Sequence, residues 1–549
     1  MKKALQVFVL IAINATTIFA QQPKIEMSAP FDEPDDGWNK VLQVKNGNTL
    51  FFHFSKKEGI AVTVYDKSRK VAAEKTINSE LWEARKLRGS SINGLYEINS
   101  EAVIFLTQIV DRSVTLYRLR INENTGGLIE EKVIGAIDKY KAGANWAMIY
   151  GGVDPNGFRV EKDPASDAYG VVAVNSFAHE SGERLKLTLY NGEHKETASL
   201  YYGDPGAFKY IKFICMAVSD KDALLCAYGF NTERSGGKDS RIILSKVSNG
   251  ETTFKHNLLD FSDDFRATTG IMQYNPGSHM VQLLTLTLTS SKSQFFTGKT
   301  TSYYLPLISY IDPQSLTIAF TKPVLGEKVG GYIAEHFDYK DGYSGVPQNM
   351  IINKDNSTTI ITEELTTKTV TDANTGAVLS QQTLLGNMGI SEMDNAGLEQ
   401  EGYGILKTQL SNGLIASFNQ AEKTKGMWSY QPVPMMQLKN NHFLSFDYVN
   451  TDKNRYILFN DIPENFEKGD KEKRRQIYGI SETSTVCYKL DNGKIDKMYL
   501  FGKPKDDDHS TFCYIQSSNY NKETNTYATL AVQRDRKDKQ SRIVWATFE

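Results

Sequence analysis

The chain has few cysteines, few prolines and almost no net charge. Four cysteines in 549 residues are too few for a scaffold held together by disulfides, so stability has to come from packing. Only 15 prolines are present, and no Pro/Ser/Gly-rich stretch separates one part of the chain from another. The 63 basic and 65 acidic residues give a net charge of −2, which argues against nucleic acid or an anionic membrane as a partner.

Long hydrophobic runs are also missing. Lys2 and Lys3 precede an apolar run, Ala4 to Ile13, and a small-residue region that ends at Ala20. This run is shorter than the roughly 20 residues that span a bilayer, and the pattern is typical of a secretory signal peptide. We therefore expect export to the periplasm, the cell surface or the medium, with residues 21–549 as a mature chain that has no membrane span.

Short runs rich in Val, Ile, Leu, Thr, Tyr and Phe, bounded by Asp, Asn or Gly, fill the sequence from Lys40 onwards. These runs indicate strands and turns. No segment of a dozen residues shows a sustained helical period, which disfavours alternating strands and helices. The sequence predicts an all-β protein.

One unit recurs: a β run, a turn that begins at Asp or Asn, and a second β run. The turns begin at Asp66, Asn122, Asn191, Asn249, Asp312, Asn412 and Asp491. The first five lie 56, 69, 58 and 63 residues apart, and the last two intervals are 100 and 79 residues. Regular units of this length are typical of four-stranded propeller blades. The longer intervals indicate insertions in blades six and seven.

We therefore predict a single β-propeller of eight blades, with seven as the alternative. The expected blade limits are 40–77, 93–136, 157–202, 210–260, 268–324, 348–420, 442–502 and 511–549. A string of two or three β-sandwiches is the competing architecture, but it requires linkers.

The last unit has only three β runs before the sequence ends. The segment Lys24 to Ser28, in which Ile25 and Met27 alternate with polar residues, can supply the fourth strand. Such a strand would close the ring and remove two unpaired sheet edges.

One face of the ring is expected to carry the long connections. In a four-stranded blade, the connections from the second to the third strand and from one blade to the next share a face. The long connections of the first kind are expected at Phe230 to Ser240, Ser290 to Lys299, Thr366 to Glu401 and Asp461 to Ile480. Binding groups concentrate on loops that a rigid frame holds.

Four of the five tryptophans, Trp38, Trp82, Trp146 and Trp428, map near this face. Exposed aromatic rings would suit a sugar, a peptide or a protein partner. The alternative is that each ring wedges between adjacent blades as part of the core.

No catalytic motif is apparent, so no catalytic residue and no organic cofactor are predicted. Asp506, Asp507 and Asp508, followed by His509, offer hard oxygen ligands for Ca²⁺, although adjacent carboxylates are commonly just solvated. A hairpin that turns at Asp220 and Lys221 would set Cys215 opposite Cys226, as a disulfide or as two buried thiols.

The stretch YILFNDIPEN, Tyr456 to Asn465, resembles a segment of exported bacterial propeller-like proteins of unknown function. The resemblance covers the C-terminal third of the chain, with LKTQLSNGLIASF upstream and YKLDNGKIDKMYLF downstream. It implies a secreted β protein of the bacterial envelope, and no activity.

These observations favour a binding or scaffold module whose ligand is a protein or a glycan. A secreted hydrolase acting on glycans or peptides and a structural envelope component are the alternatives, because a propeller fold by itself does not specify a function. The sequence leaves the oligomeric state open.

Overall fold

Eight antiparallel sheets follow one another along the chain. The structure is a computed structural model. It describes residues 22–34, 37–138, 153–231, 240–259, 267–290, 303–324, 326–338, 342–371, 378–429, 444–477, 479, 482–506 and 508–549.

Each sheet is one blade, and its main strands run outward from the ring axis in chain order, except that the N-terminal strand is the outer strand of the last blade. The inner strand of a blade is its first. The strands of the first four blades are β2 (Trp38–Gln43), β3 (Thr49–Ser55), β4 (Gly59–Tyr65) and β5 (Val71–Ile77); β6 (Ser91–Ile98), β7 (Glu101–Val110), β8 (Ser113–Asn122) and β9 (Leu128–Ile137); β10 (Gly157–Lys162), β11 (Tyr169–Val174), β12 (Leu185–Tyr190) and β13 (Glu196–Tyr201); β14 (Tyr210–Ser219), β15 (Asp222–Phe230), β16 (Arg241–Ser248) and β17 (Lys255–Leu259).

The remaining blades follow the same plan, with extra strands in blades six and eight. Their strands are β18 (Ala267–Asn275), β19 (Met280–Ser290), β20 (Tyr303–Ile311) and β21 (Ile318–Pro323); β22 (Val346–Ile352), β23 (Thr358–Thr371), β24 (Val378–Met393), β25 (Glu399–Ile405) and β26 (Gln409–Asn412); β28 (Asp447–Asn450), β29 (Arg455–Asp461), β30 (Ser484–Asp491) and β31 (Lys494–Tyr499); β32 (His509–Cys513), β33 (Asn519–Asn521), β34 (Thr526–Asp535), β35 (Asp538–Thr547) and β1 (Lys24–Met27). One further strand of two residues, β27 (Trp428–Ser429), belongs to blade two.

The prediction of an eight-bladed ring closed by the N-terminal segment is confirmed. Strand β1 lies antiparallel to β35, with Lys24 opposite Thr547 and Met27 opposite Val544. The bonds continue beyond the strand, because the Ser28 amide donates to the Ile543 carbonyl at 2.9 Å. The first and last parts of the chain thus share one sheet, which leaves β35 with partners on both sides.

Packing between blades forms the core. Within the described residues, eight hydrophobic clusters each join two neighbouring blades, and one of them, around Val41 and Trp545, joins the eighth blade to the first. The middle strands are therefore buried on both faces, as in β3, whereas the outer strand β5 is largely exposed. Such stacking suits the β-branched and aromatic residues of these strands.

Tight turns close one face of the ring, which we call the turn face. Asp66, Asn122, Asn191 and Asp312 each accept hydrogen bonds from backbone amides two to four residues further on. Asp and Asn favour turns because their short side chains make these local bonds.

Blade six departs from the expected pattern. Its corresponding turn begins at Asp394, whose carboxylate accepts from the amides of Ala396 and Leu398 at 2.9 Å each. Asn412 instead ends the extra strand β26, which pairs with β24. Most of the expected connection Thr366 to Glu401 is strand, because β23 and β24 form one long hairpin. The assignment of the blade-six turn to Asn412 was therefore wrong.

The opposite face, the loop face, carries the connections from second to third strands and from one blade to the next. In blade seven the connection from the second to the third strand covers residues 462–483, most of which are described. The predicted connections Phe230 to Ser240 and Ser290 to Lys299 lie almost entirely outside the described residues. Helix α1 (Glu327–His336) precedes blade six, α2 (Asn419–Thr424) follows it, and α3 (Pro463–Glu467) lies in the blade-seven connection. Among the helices of the described chain, none has the length and apolar character needed to cross a membrane.

Candidate functional site

After β26 the chain leaves blade six and crosses the centre of the ring. We call residues 413–429 the crossing segment. At its beginning, the Phe418 amide donates to the Pro347 carbonyl of β22 at 2.8 Å, and the Gln348 amide group donates to Ala416 at 3.3 Å. At its end, Trp428 pairs with Ile92 as strand β27 on the inner edge of blade two. The inner strands line the central channel, so a segment that runs between two of them lies inside it.

Lysines of the segment bond to further blades. Lys423 forms an ion pair with Asp447 of β28 and donates to the Phe446 carbonyl at 3.1 Å. Lys425 forms an ion pair with Glu161 of β10. The Lys425 carbonyl also accepts from the Leu95 amide of β6 at 3.0 Å.

A lysine of the ring reaches back to the segment. Lys40 of β2 donates to the Lys423 carbonyl at 3.2 Å and to the Ser518 carbonyl of blade eight at 2.6 Å. With a hydroxyl contact of 3.5 Å between Thr269 of β18 and Ser417, the crossing segment bonds to the inner strands of blades one, two, three, five, six and seven.

Burial governs the electrostatics of the channel. It lowers the pKa of Lys40 to about 7, helped by the positive charge of Lys423 and opposed by Asp447. It also lowers the pKa of Lys423 and raises the pKa of Glu161, each against the pull of its ion-pair partner. Taking a charge out of water is costly unless a partner compensates it, so the charged groups of the channel depend on each other.

The second oxygen of Asp447 accepts a hydrogen bond from the Tyr527 hydroxyl of blade eight at 2.8 Å. Burial raises the pKa of Tyr527 well above its usual value, and the carboxylate of Asp447 raises it further. Asp447 thereby joins the crossing segment to both blades seven and eight.

A second buried polar cluster lies at the loop face between blades six and seven. Lys407 forms an ion pair with Glu363, and the side chains of both are 0% exposed. The Lys407 amine also donates to the Ser445 hydroxyl at 3.0 Å and to the Gln409 carbonyl oxygen at 3.3 Å. Ser445 donates in turn to Glu363.

A serine beside a lysine is one arrangement of an activated nucleophile. Here burial lowers the pKa of Lys407, but the Glu363 carboxylate opposes this and favours the ammonium form. In the structure the Lys407 amine donates to Ser445, which donates to Glu363, so the lysine is placed as a hydrogen-bond donor to Ser445 and not as its base. The cluster therefore ties β23 of blade six to the start of blade seven.

A small core supports this part of the loop face. Leu385, Leu444, Ile462 and Ile477 are buried together, and the backbone of Ile477 exchanges hydrogen bonds with the chain beside β26 at 3.0 and 3.1 Å. Above it, the described residues 365–371 and 378–385 of the β23–β24 hairpin extend past both neighbouring strands of blade six and pair with each other and with β26. We call this extension the arm.

The structure brings two of the predicted tryptophans together. Trp38 and Trp428 stack with ring centroids 5.4 Å apart and an interplanar angle of 13°. Trp38 is 2% exposed and Trp82 is 3% exposed, and both belong to the core cluster between blades one and two, with Trp428 half-buried against it. This is the wedge arrangement that was the alternative to an exposed aromatic rim. Trp146 lies outside the described residues.

The acidic run at the loop face is engaged with neighbouring side chains. Asp506 accepts from His509 at 2.6 Å, and Asp508 lies 3.4 Å from Arg534. Asp507 lies outside the described residues. No group of three or more His, Cys, Asp or Glu side chains arranged to hold a metal ion occurs in the part of the chain that is described.

Sequence patterns missed the crossing segment and the charged groups that hold it. The helix within it is too short to show a period, and its partners are far away in sequence. The one available signal was the excess length of the interval between Asp312 and Asp491, which was attributed to insertions within blades.

No protein-family model matches the sequence, and the comparison with curated proteins gave no match. Distant structural neighbours exist. The polysaccharide lyase Uly1 has a TM-score of 0.37 and 10% identity over 83% of this chain and 90% of its own. An uncharacterized protein from Listeria monocytogenes has a TM-score of 0.30 and 9% identity over 74% and 97%.

An alpha-L-arabinofuranosidase from Podospora anserina, solved in complex with cellotriose, has a TM-score of 0.28 and 9% identity over 56% of this chain and 92% of its own. Similarities at this level carry no argument about activity. These comparisons do not support the family suggested by Tyr456 to Asn465. The fold itself is that of a β-propeller.

Proposed function

We propose that the protein is an exported β-propeller that acts as a binding or scaffold module through its loop face, with a protein or glycan ligand. The observation that carries the proposal is the asymmetry of the ring. Asx turns close the turn face, whereas the arm and the blade-seven connection with helix α3 extend from the loop face. Elaborated loops on a rigid frame are typical of binding surfaces.

The state of the channel favours binding over hydrolysis. Glycoside hydrolysis in the channel would need two carboxylates some 5 to 9 Å apart that are free to exchange protons with a sugar. The channel acids Glu161 and Asp447 are each paired with a lysine of the crossing segment. Because the segment occupies the space between them, we expect a ligand to meet the outer surface of the loop face.

The arm provides the sharpest test. Thr367 and Thr383 lie directly opposite each other, so a two-residue Asn-Gly turn can replace residues 368–382 with the geometry of a short hairpin. Fluorescently labelled wild-type and shortened-arm proteins are applied to a glycan array. We expect wild-type signals that the shortened-arm protein loses.

A matched control carries Lys494→Glu with Asp496→Lys, two exposed residues on the outer strand of blade seven. It should bind like the wild type. Equal binding by all three proteins would refute a role for the arm, and release of reducing ends from an array polysaccharide would favour the hydrolase alternative.

Export is part of the proposal and has its own test. N-terminal sequencing of the protein recovered from the native host should show a mature chain beginning next to Ala20. An intact Met1 in a cell-associated protein would contradict export through residues 1–20.

A further inference from the structure

Two cysteine side chains face each other in the inner hairpin of blade four. Strands β14 and β15 are antiparallel, and Cys215 lies directly opposite Cys226. Opposite residues point to the same face of a sheet with their Cβ atoms roughly 4.5 to 5.5 Å apart. A disulfide needs a Cα separation of about 4.4 to 6.8 Å, which an opposite pair provides.

The strand next to this pair can adjust. The register shifts between Phe213 and Cys215, so β14 holds one residue more than β15 at that point. Such a bulge bends the strand and changes the direction of the adjacent side chains. A small rotation at Cys215 is thus easier here than in an uninterrupted ladder.

The surroundings of the pair are apolar. Both cysteines are buried in the core cluster between blades four and five, among residues such as Leu224 and Met272. A disulfide is as apolar as the thiols it replaces, so its formation leaves no charge or unpaired hydrogen-bonding group in this core.

We propose that Cys215 and Cys226 form a cross-strand disulfide when the chain folds in the presence of an exchangeable disulfide such as oxidised glutathione. The thiolate of one cysteine attacks the glutathione disulfide and releases one glutathione thiolate. The second cysteine then attacks the mixed disulfide and releases the other glutathione. Formation of the sulfur–sulfur bond thus removes two protons and two electrons from the protein, and these reduce one glutathione disulfide to two thiols.

Burial determines when this exchange takes place. It raises the pKa of Cys215 well above the usual value for a thiol, and the neighbouring Cys226 adds to the rise. Since the thiolate is the reactive form, exchange is slow in the folded protein and fast while the hairpin is still exposed. Once formed, the bond is shielded by the same packing.

The other two cysteines provide an internal control. Cys487 and Cys513 share a buried cluster, but they lie in different sheets. Cys487 is opposite Leu458 and Met498, and Cys513 is opposite Ala531. They have no register partner with a thiol, so they should stay reduced.

The test uses the full chain, unfolded in urea with a reductant and refolded in buffers of reduced or oxidised glutathione. Free thiols are then alkylated in denaturant. Trypsin cuts after Lys221, between the two cysteines, so a Cys215–Cys226 disulfide appears as peptide 213–221 linked to peptide 222–234. In oxidised buffer we expect this linked pair, an intact mass lower by two hydrogens, and alkylated Cys487 and Cys513.

Cys226→Ala removes one partner and keeps a small buried side chain. Refolded in oxidised buffer, this variant should lack the linked peptides and keep Cys215 alkylatable. The proposal would be overturned if wild-type protein that has refolded to the native state in oxidised buffer is then alkylated at all four thiols. A bond between Cys215 and a cysteine other than Cys226 would also overturn it.

Discussion

Replacing Glu363 by Gln should destabilise the ring strongly, because it leaves the buried ammonium of Lys407 without its counter-ion. The amide has nearly the same shape, so the change removes the charge and leaves the packing intact. Breaking a fully buried ion pair on one side costs about 3–5 kcal/mol. The Ser445 and Gln409 oxygens, at 3.0 and 3.3 Å from the amine, remain as acceptors and place the expected value at the lower end.

The size of the protein sets the observable shift. An unfolding entropy of about 2.1 cal/mol/K per residue gives roughly 1 kcal/mol/K for a chain of this length, so a loss of about 3 kcal/mol lowers the melting temperature by roughly 3 °C. Differential scanning calorimetry resolves such a shift. Three further proteins form a double-mutant cycle with the wild type: Glu363→Leu, Lys407→Met, and the two changes together.

The cycle distinguishes an ion pair from simple packing. Replacing both partners by apolar residues of similar volume is often neutral, so the double variant should melt closer to the wild type than Glu363→Gln does. If Glu363→Gln melts within 1 °C of the wild type, or if the double variant shows the sum of the two single losses, the argument from buried charge fails.

Three further outcomes are expected. Ile25→Asp puts a carboxylate against the core between blades seven and eight and should lower the melting temperature by a few degrees. The control Met27→Asp, at an exposed position of β1, should have little effect. Equal melting temperatures for the two variants would argue against closure by this strand. Burial lowers the pKa of Lys40 to about 7 in the folded chain, so between pH 7 and 10 the unfolded chain binds a proton that the folded chain does not, and the free energy of unfolding should rise with pH across this window. Calorimetry at several pH values should show a flatter rise for Lys40→Met. Identical slopes for the two proteins would contradict the lowered pKa. Trp428→Ala removes the stack on Trp38 and should lower the free energy of unfolding by at least about 0.5–1.5 kcal/mol. Urea unfolding should show this loss as a lower midpoint. An unchanged midpoint would mean that the end of the crossing segment adds no stability.

Local chemistry explains why the blades were predictable. A turn such as that at Asp66 is specified by hydrogen bonds within four residues, and the flanking strands show their character in β-branched and aromatic residues. The closing role of Lys24 to Ser28 followed from counting strands, because a three-stranded last blade leaves edges that need a partner.

The turn of blade six was predicted wrongly for an equally local reason. Residues Asn412 and Gly413 form a good turn sequence, and so do Asp394 to Gly397. Only the turn at Asp394 closes the blade, because it joins β24 to β25, whereas Asn412 ends the extra strand β26. The arm was missed as strand because its described residues, 365–371 and 378–385, are mostly threonine, serine, glutamine and lysine and lack the apolar alternation that indicates a strand.

The sequence by itself determined the repeating unit and the means of closure, and it favoured eight blades over seven, since each of these depends on contacts within a unit or on the count of units. What only the tertiary structure decided is the content of the channel. Trp428 pairs with Ile92, and Lys423 meets Asp447 and Lys40, groups that lie on three different blades. A lysine in a channel and a lysine on a surface look the same in a sequence, because burial depends on what the rest of the ring places around them.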